Sequence, residues 1–443
     1  MKRIISFSLL SVVVLFSLLS LSSCGRNKGV TVRYLNFKPE VAEKYTAIAK
    51  AYEKETGVRV VVETAAANTY EQTLLSKLST REAPTIFQIN GPKSYSAYKD
   101  YLSDLSSTAL YSHLSDPELA LKKDGKVYGI PYVVEGYGII CNKSIMDKYF
   151  ALPQKHTSYT SIDEITSFDA LAAVVKDMQK NKAALGIDGV FAATSLKSGE
   201  DWRWQTHLFN LPLADELADR GVDMTADFSD FQFKYSENFK KLFDLYLENS
   251  TVPRSALGTK TVADSMAEFA LEKCAMVQNG SWAYAQIAGE SGNKVSADEV
   301  RFLPLYMGSK DEGTQGICIG TENYYCINEK ASDEEKKAAE EFLYWLYSSE
   351  QGKKFVSQEL GFIAPFDTFA SGDVPSDPLA KEVLAYMQSD GVKNVPWQFG
   401  AIPSLRFKED FGSSLLAYAQ GKKTFSEVVS GVKQSWKSES EHT

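Results

Sequence analysis

Four tryptophans in polar, loop-like surroundings are the residues of this chain best suited to a recognisable chemistry. Trp202 and Trp204 lie in Ser198-Gly199-Glu200-Asp201-Trp202-Arg203-Trp204-Gln205, Trp282 follows Asn279-Gly280-Ser281, and Trp397 sits in Val395-Pro396-Trp397-Gln398. An indole offers a flat apolar face that stacks on the C–H face of a sugar ring, while Asn, Gln, Asp, Glu and Arg beside it satisfy hydroxyls in pairs. The competing reading is a partly buried ring with its N–H bonded, and composition alone does not choose between them. Trp345 and Trp436 fall on helical patterns and read as packing. Catalytic motifs are missing. The four histidines, His113, His156, His207 and His442, form no HExxH pair, and the chain has no GxSxG elbow, no Walker GxxxxGK loop and no Cys or His pair at zinc spacing. No metal and no cofactor is expected on this ground. The 57 acidic residues leave a glycosidase pair open, because its two carboxylates come from distant positions.

The N-terminus bears on where such a site would work. Lys2 and Arg3 precede an apolar run from Ile4 to Leu21 interrupted only by serines, followed by Ser22-Ser23-Cys24. This pattern reads as an export signal over residues 1–23, and Leu21-Ser22-Ser23-Cys24 resembles the bacterial lipobox, in which the Cys thiol is lipidated and becomes the mature N-terminus. Residues 24–29 then form a lipidated Cys and a short leash. A transmembrane helix is the rival reading, since about 18 to 20 apolar residues span a bilayer, but the serines and the terminal Cys fit it less well. The expectation is a protein outside the cytoplasm, held by lipid to the outer face of the bacterial cell membrane. Its net charge of −9 becomes more negative once Lys2 and Arg3 are removed, and with no basic cluster the chain is not expected to bind nucleic acid. Cys141, Cys274, Cys318 and Cys326 each sit in an apolar run, which suits buried free thiols; a Cys318–Cys326 bridge is the alternative.

The elements that would position these residues follow from periodicity. Val30 to Asn36 reads as a strand, Pro39 to Thr56 as a helix stopped by Gly57, Val58 to Thr64 as a β-branched strand, Tyr70 to Thr80 as a helix and Thr85 to Ile89 as a third strand. Alternation of this kind predicts an α/β fold with a parallel sheet, in which ligands bind beyond the carboxyl ends of the strands. The loops starting at Asn36, Asn68 and Asn90 are therefore candidates. Ser161 with Glu164, and Ser332 with Glu335, fit the capping box that opens a helix. The mature chain exceeds the ~250–300 residues at which a single core stops growing, so two lobes are expected.

Several segments in register resemble a known family. Gly129-Ile130-Pro131-Tyr132-Val133-Val134-Glu135-Gly136-Tyr137-Gly138-Ile139-Ile140-Cys141-Asn142-Lys143 is similar to the "IP...E...L.YNK" crossover of the extracellular solute-binding proteins of family 1, the maltose- and raffinose-type sugar-binding group. Ala270 to Trp282 resembles their "F..GkaAM...G.W" segment, and Leu303-Pro304-Leu305, Gly316 to Tyr325, Ala338 to Leu343 and Gly361-Phe362-Ile363-Ala364-Pro365 follow in the family's order. The match runs from about Val30 to Trp436.

The resemblance implies a two-lobed periplasmic-binding-protein fold of type II, with discontinuous lobes joined by crossing hinge strands: 30–138 plus 306–352, and 139–305 plus 353–443. It implies a monomer that closes over a carbohydrate, an oligosaccharide by preference, and delivers it to the permease of an ABC importer driven by a cytoplasmic ATPase, with no catalysis of its own. Glu135 looks like the cleft carboxylate at the crossing, and Trp202 and Trp282 look like stacking residues. Asn36, Asn68, Gln88 and Asn90 fall on strand-end loops, Trp204 and Trp397 complete the polar-flanked tryptophans, and Glu322 and Arg406 are weaker candidates. Gln88 stands where maltose-type members carry Trp, which puts maltodextrin in doubt, and Cys141 stands where Tyr is usual. A non-sugar or phosphorylated solute, such as a glycerol phosphate or a polyol, remains the alternative ligand; a lipid-anchored glycosidase or adhesin is the further one.

Overall fold

The alternation of β-branched and helical runs at the start of the chain folds as a parallel sheet. Thr31–Asn36 (β1) pairs in parallel with Arg59–Thr64 (β2), from Thr31↔Arg59 to Asn36↔Thr64, and with Ile86–Asn90 (β3) through Tyr34↔Ile86. Between them run Ala42–Thr56 (α1), after a 3-10 turn over Pro39–Val41, and Ala67–Leu78 (α2). Tyr45, Ile48, Ala49 and Tyr52 are buried along one face of α1, and Gly57 ends it with φ of 77°, a conformation that favours glycine. The structure, a computed structural model, describes residues 29–65, 67–222, 228–309, 311–321 and 323–441. The signal segment 1–23, Cys24 and Glu322 lie outside the described residues, as does the side chain of Asn68 in the first turn of α2.

The other strands are Leu121–Lys123 (β4), Lys126–Pro131 (β5), Glu135–Asn142 (β6), Met276–Gly280 (β7), Val300–Leu303 (β8), Gln315–Gly320 (β9), Asn323–Ile327 (β10) and Lys393–Pro396 (β11). They build two sheets, one ordered β2-β1-β3-β10-β5-β4 and one ordered β11-β9-β6-β7 with β8 also on β6. Each sheet is covered by helices. In the first lobe Gly91–Tyr98 (α3) follows β3, and Asp333–Ser348 (α5) packs Phe342 and Leu346 into the core with Tyr34, Tyr45 and Tyr325. In the second lie Val262–Ala270 (α4), Pro378–Gln388 (α7), Leu405–Ala419 (α8) and Phe425–Ser440 (α9). Trp345 and Trp436 are buried in the packing, as expected. The Ser332 capping box forms and opens α5. The one expected at Ser161 does not: Glu164 is taken by the N–H and hydroxyl of Thr160 instead, and only a single 3-10 turn follows.

The chain crosses between lobes three times. It leaves β5 at Pro131 and enters β6 at Glu135, so the boundary expected between 138 and 139 falls inside a strand. It returns between β9 and β10, because Glu135, Gly136 and Tyr137 pair with Gly320, Ile319 and Cys318; residues 306–320 thus belong with the second lobe rather than the first. The third crossing follows Phe366, since Val356, Leu360, Phe362 and Phe366 pack in the first lobe's core and Leu379, Ala380 and Val383 in the second's. Glycine allows that extension past 352: a side chain on Gly352 would strike the carbonyls of Trp345 and Leu346, so Glu350–Lys354 (α6) can fold tightly against α5. The first crossing is tied to the segment that leads into the third by Val134 N–H donating to Ile363 O at 2.8 Å. Cys141, Cys274, Cys318 and Cys326 are buried and free, and Cys318 and Cys326 lie in different sheets.

Candidate ligand-binding cleft

The strand ends converge where the sheets face each other. β3, β7, β9 and β11 finish there and β6 and β10 begin, which sets Asn90 opposite Asn323, Glu135 opposite Gly320 and Tyr137 opposite Gly280. Two glycines make room for indoles. A side chain on Gly280 would strike the six-membered ring of Trp282, and one on Gly320 would come within 2.6 Å of the Trp397 ring. Each ring therefore lies against bare backbone at the end of a strand.

The second lobe supplies a wall of rings. Trp202 and Trp282, both partly exposed, stand 6.2 Å apart at 51°. His207 meets Trp202 edge-on at 4.9 Å and lies parallel to both Tyr137 (4.2 Å, 12°) and Phe399 (5.4 Å, 8°), which are themselves 6.1 Å apart, while Trp397 lies 5.0 Å from Phe399. Burial, with Arg203 and Lys408 adding to it, holds His207 well below its usual pKa, so this ring is a neutral imidazole. Trp202 precedes and His207 belongs to a π-helical turn over Arg203–Leu208. Trp204 does not join the wall. It is 1% exposed and packs edge-on against Phe243 and Tyr246, because residues two apart on a helical turn point to opposite sides.

The first lobe supplies amides and one cation. Gln88 Oε1 accepts the Phe37 N–H at 2.7 Å, but Gln88 Nε2 has no partner. Asn90 Oδ1, Asn323 Oδ1, Thr321 Oγ1, Trp397 Nε1 and Gln398 Oε1 are likewise buried and unsatisfied. A buried polar atom left unpaired costs about 1–3 kcal/mol, so so many at one junction mark a place where something polar belongs. Asn36 is already committed: it accepts from Tyr34 and the Lys38 N–H and donates to Lys38 O and Thr64, and so shapes the loop that delivers Lys38. Lys38 Nζ donates to Glu135 Oε1 at 2.7 Å, lies 3.7 Å from Glu40, and sits over the rings of Trp282 (5.8 Å) and Phe362 (5.7 Å). Burial raises the Glu40 carboxyl above its usual pKa despite Lys38.

Of the residues expected from sequence, the structure gathers Gln88, Asn90, Glu135, Trp202, Trp282 and Trp397. Arg406 is elsewhere, an exposed side chain 3.9 Å from Asp410 in a surface groove of about 520 Å³ between α8 and α9. Sequence reading missed Lys38, His207, Thr321, Asn323 and Phe399. The strand-end rule that pointed to Asn36 applied equally to Lys38, two residues on; His207 and Phe399 carried no local signal. The walls also touch: α3 of the first lobe packs against the 3-10 turn Phe399–Ala401 of the second.

Two α/β lobes with crossing strands and a cleft at the strand ends define a solute-binding protein fold of type II. The chain belongs to the bacterial extracellular solute-binding protein family, whose model matches residues 47–382. Solved structures agree on the fold. A chitin oligosaccharide binding protein aligns with TM-score 0.69 at 18% identity, covering 94% of this chain and 100% of that one. The solute-binding protein RafE in complex with raffinose gives 0.68 at 18%, with 93% and 100% covered. A sugar transporter protein from Bacillus licheniformis in complex with stachyose gives 0.65 at 16%, with 93% and 100% covered. No curated protein matches the sequence. No helix among the described residues is long and apolar enough to cross a membrane.

Proposed function

We propose that this chain is the extracytoplasmic receptor of an ABC importer, capturing an uncharged sugar, in oligosaccharide form, between its lobes and presenting it to the permease. The observation that carries the reading is the facing of two surfaces: indoles laid on Gly280 and Gly320, and unsatisfied amide and hydroxyl atoms at Gln88, Asn90, Thr321 and Asn323. A pyranose has that same division, with C–H faces for the rings and equatorial hydroxyls for the amides. That raffinose, stachyose and chitin oligosaccharides are ligands of similarly folded proteins supports the sugar class. Charge favours a neutral ligand, because Lys38 is already offset by Glu135 and Glu40. Closure then follows from ligand touching both walls only when they are together, so binding shifts the population by its differential affinity. Lipidation at Cys24 would keep the receptor beside its permease.

The test is calorimetry of the chain from Gly25 onward against raffinose, stachyose, chitin oligosaccharides, glycerol phosphate and polyols. Saturable binding of one sugar, lost in Trp282→Ala, is the expected result. Binding of glycerol phosphate with silence toward every sugar would overturn the sugar reading, and steady disappearance of a sugar would replace it with a hydrolase. For the anchor, Cys24→Ser in cells should move the protein from the membrane fraction to the soluble one; unchanged membrane retention would reject lipidation.

A further inference from the structure

Arg203 is a fully buried guanidinium with no carboxylate in contact; Glu200 and Glu268 act on it only from a distance. It is 1% exposed, and among the described residues its bonds go to a carbonyl and two hydroxyls rather than to a carboxylate. Nη1 donates to Gln278 O at 2.9 Å, Nη2 donates to Ser195 Oγ at 2.6 Å and Ser265 Oγ at 2.8 Å, and Nε makes no bond. The serines are themselves anchored, Ser195 donating to Thr261 O and Ser265 to Ala193 O. Burial draws the guanidinium pKa down to about 10. An apolar side chain would fill this space without desolvating a charge, and buried ionic groups are often replaceable in that way without loss of stability. What an apolar side chain lacks is the planar fork that holds several acceptors at fixed angles.

The fork joins two segments that reach the cleft, the turn that follows Trp202 and strand β7 that leads from Gln278 through Gly280 to Trp282, to the buried 193–195 stretch and α4 behind them. Trp202 is the neighbour of Arg203 in the chain, and Trp282 is four residues beyond the tied carbonyl. We propose that Arg203 is a positioning residue that fixes the separation and angle of the Trp202 and Trp282 rings, and so pre-forms the stacking face before ligand arrives. Affinity depends on such pre-organisation because rings held in place lose no freedom on binding. The consequence for affinity rests on the sugar reading; the consequence for the rings does not.

Two indoles this close couple excitonically, so the ligand-free protein should show a far-ultraviolet circular dichroism couplet, assigned by its loss in Trp282→Phe. Arg203→Lys keeps the charge and loses the fork; Ser265→Ala keeps the arginine and removes one anchor, which guards against failure of the first variant to fold. Both should diminish the couplet, and Arg203→Lys should raise the raffinose Kd about tenfold. In a Trp202→Ala background the same lysine substitution should raise Kd by clearly less than tenfold, because the pair of rings whose separation it fixes no longer exists. A couplet unaltered in both variants, with only the melting temperature lowered, would overturn the proposal. If raffinose does not bind the parent protein, the sugar reading is at fault and the couplet alone decides the role of Arg203.

Discussion

The first lobe meets the cleft with amides and a lysine, the second with rings, and the two walls are built in different ways. Gln88, Asn90 and Asn323 sit on adjacent antiparallel strands, β3 and β10, where the pairing ladder fixes their spacing. Trp202, His207 and Phe399 come from turns, and only Tyr137 and the backbones of Gly280 and Gly320 belong to strands. A sheet can set hydrogen-bonding atoms at regular intervals, but large rings need bare backbone to lie on and a wide turn to reach it. On the sugar reading proposed above, neither wall suffices alone: amides without a stacking face compete poorly with water, and a stacking face without amides does not distinguish one sugar from another.

The sharpest way to break this comparison is Trp204→Ala. If Trp204 serves the core and not the wall, the substitution should cost about 3–5 kcal/mol in denaturant unfolding while the folded fraction keeps its affinity; intact stability with lost binding would return Trp204 to the wall. Trp282→Ala should do the reverse, weakening sugar binding about 30-fold, or roughly 2 kcal/mol, with little change in melting temperature. On the opposite wall Asn90→Ala should cost about 1 kcal/mol of affinity, a loss near fivefold by calorimetry, and should change the preference among stereoisomers more than a ring substitution does. The smallest effect concerns the turn under the rings. Burial pushes Asp201 up to about 6, with Glu200 and Glu409 adding to it. A carboxyl held above its unfolded value near ~3.9 retains its proton better in the folded chain, so stability is lost as pH rises from there through about 6. Asp201→Asn should therefore stabilise the protein by on the order of 1 kcal/mol at pH 7.5 and not at pH 4; equal gains at both would show that charge is not the cause.

Legibility in the sequence followed the range of the interactions. The first three strands and two helices read within two or three residues of their observed limits, because β-branched runs, helical spacing and the Gly57 stop are local signals. The crossings were misplaced because β6 and β9 are defined by each other: Glu135 opposite Gly320 is a pairing across the chain that no window around either residue contains. Among site residues, tryptophans in polar context were visible and three of the four reach the cleft. Trp204 misled because the same polar context covers both sides of a turn. Lys38 was hidden by its type, since a lysine 5% exposed is an exception to how that residue behaves, and the loop wrapped around Asn36 is what makes it possible.

The wiring of the first sheet carries a consequence for how the chain comes to be folded at all. β3 lacks its inner neighbour until Asn323–Ile327 is available, and the core under that sheet is completed only by residues through Phe366. A polypeptide emerging N-terminus first must keep β1 to β3 as an unfinished edge while the whole of the other lobe's large insertion passes. Early local helices can form, but the lobe cannot lock prematurely, because closing it demands contacts of very long sequence separation. Slow sealing is an asset for any chain threaded through a narrow opening before it assumes its shape, and the same delay exposes three strands to mispairing if the downstream segment is cut away.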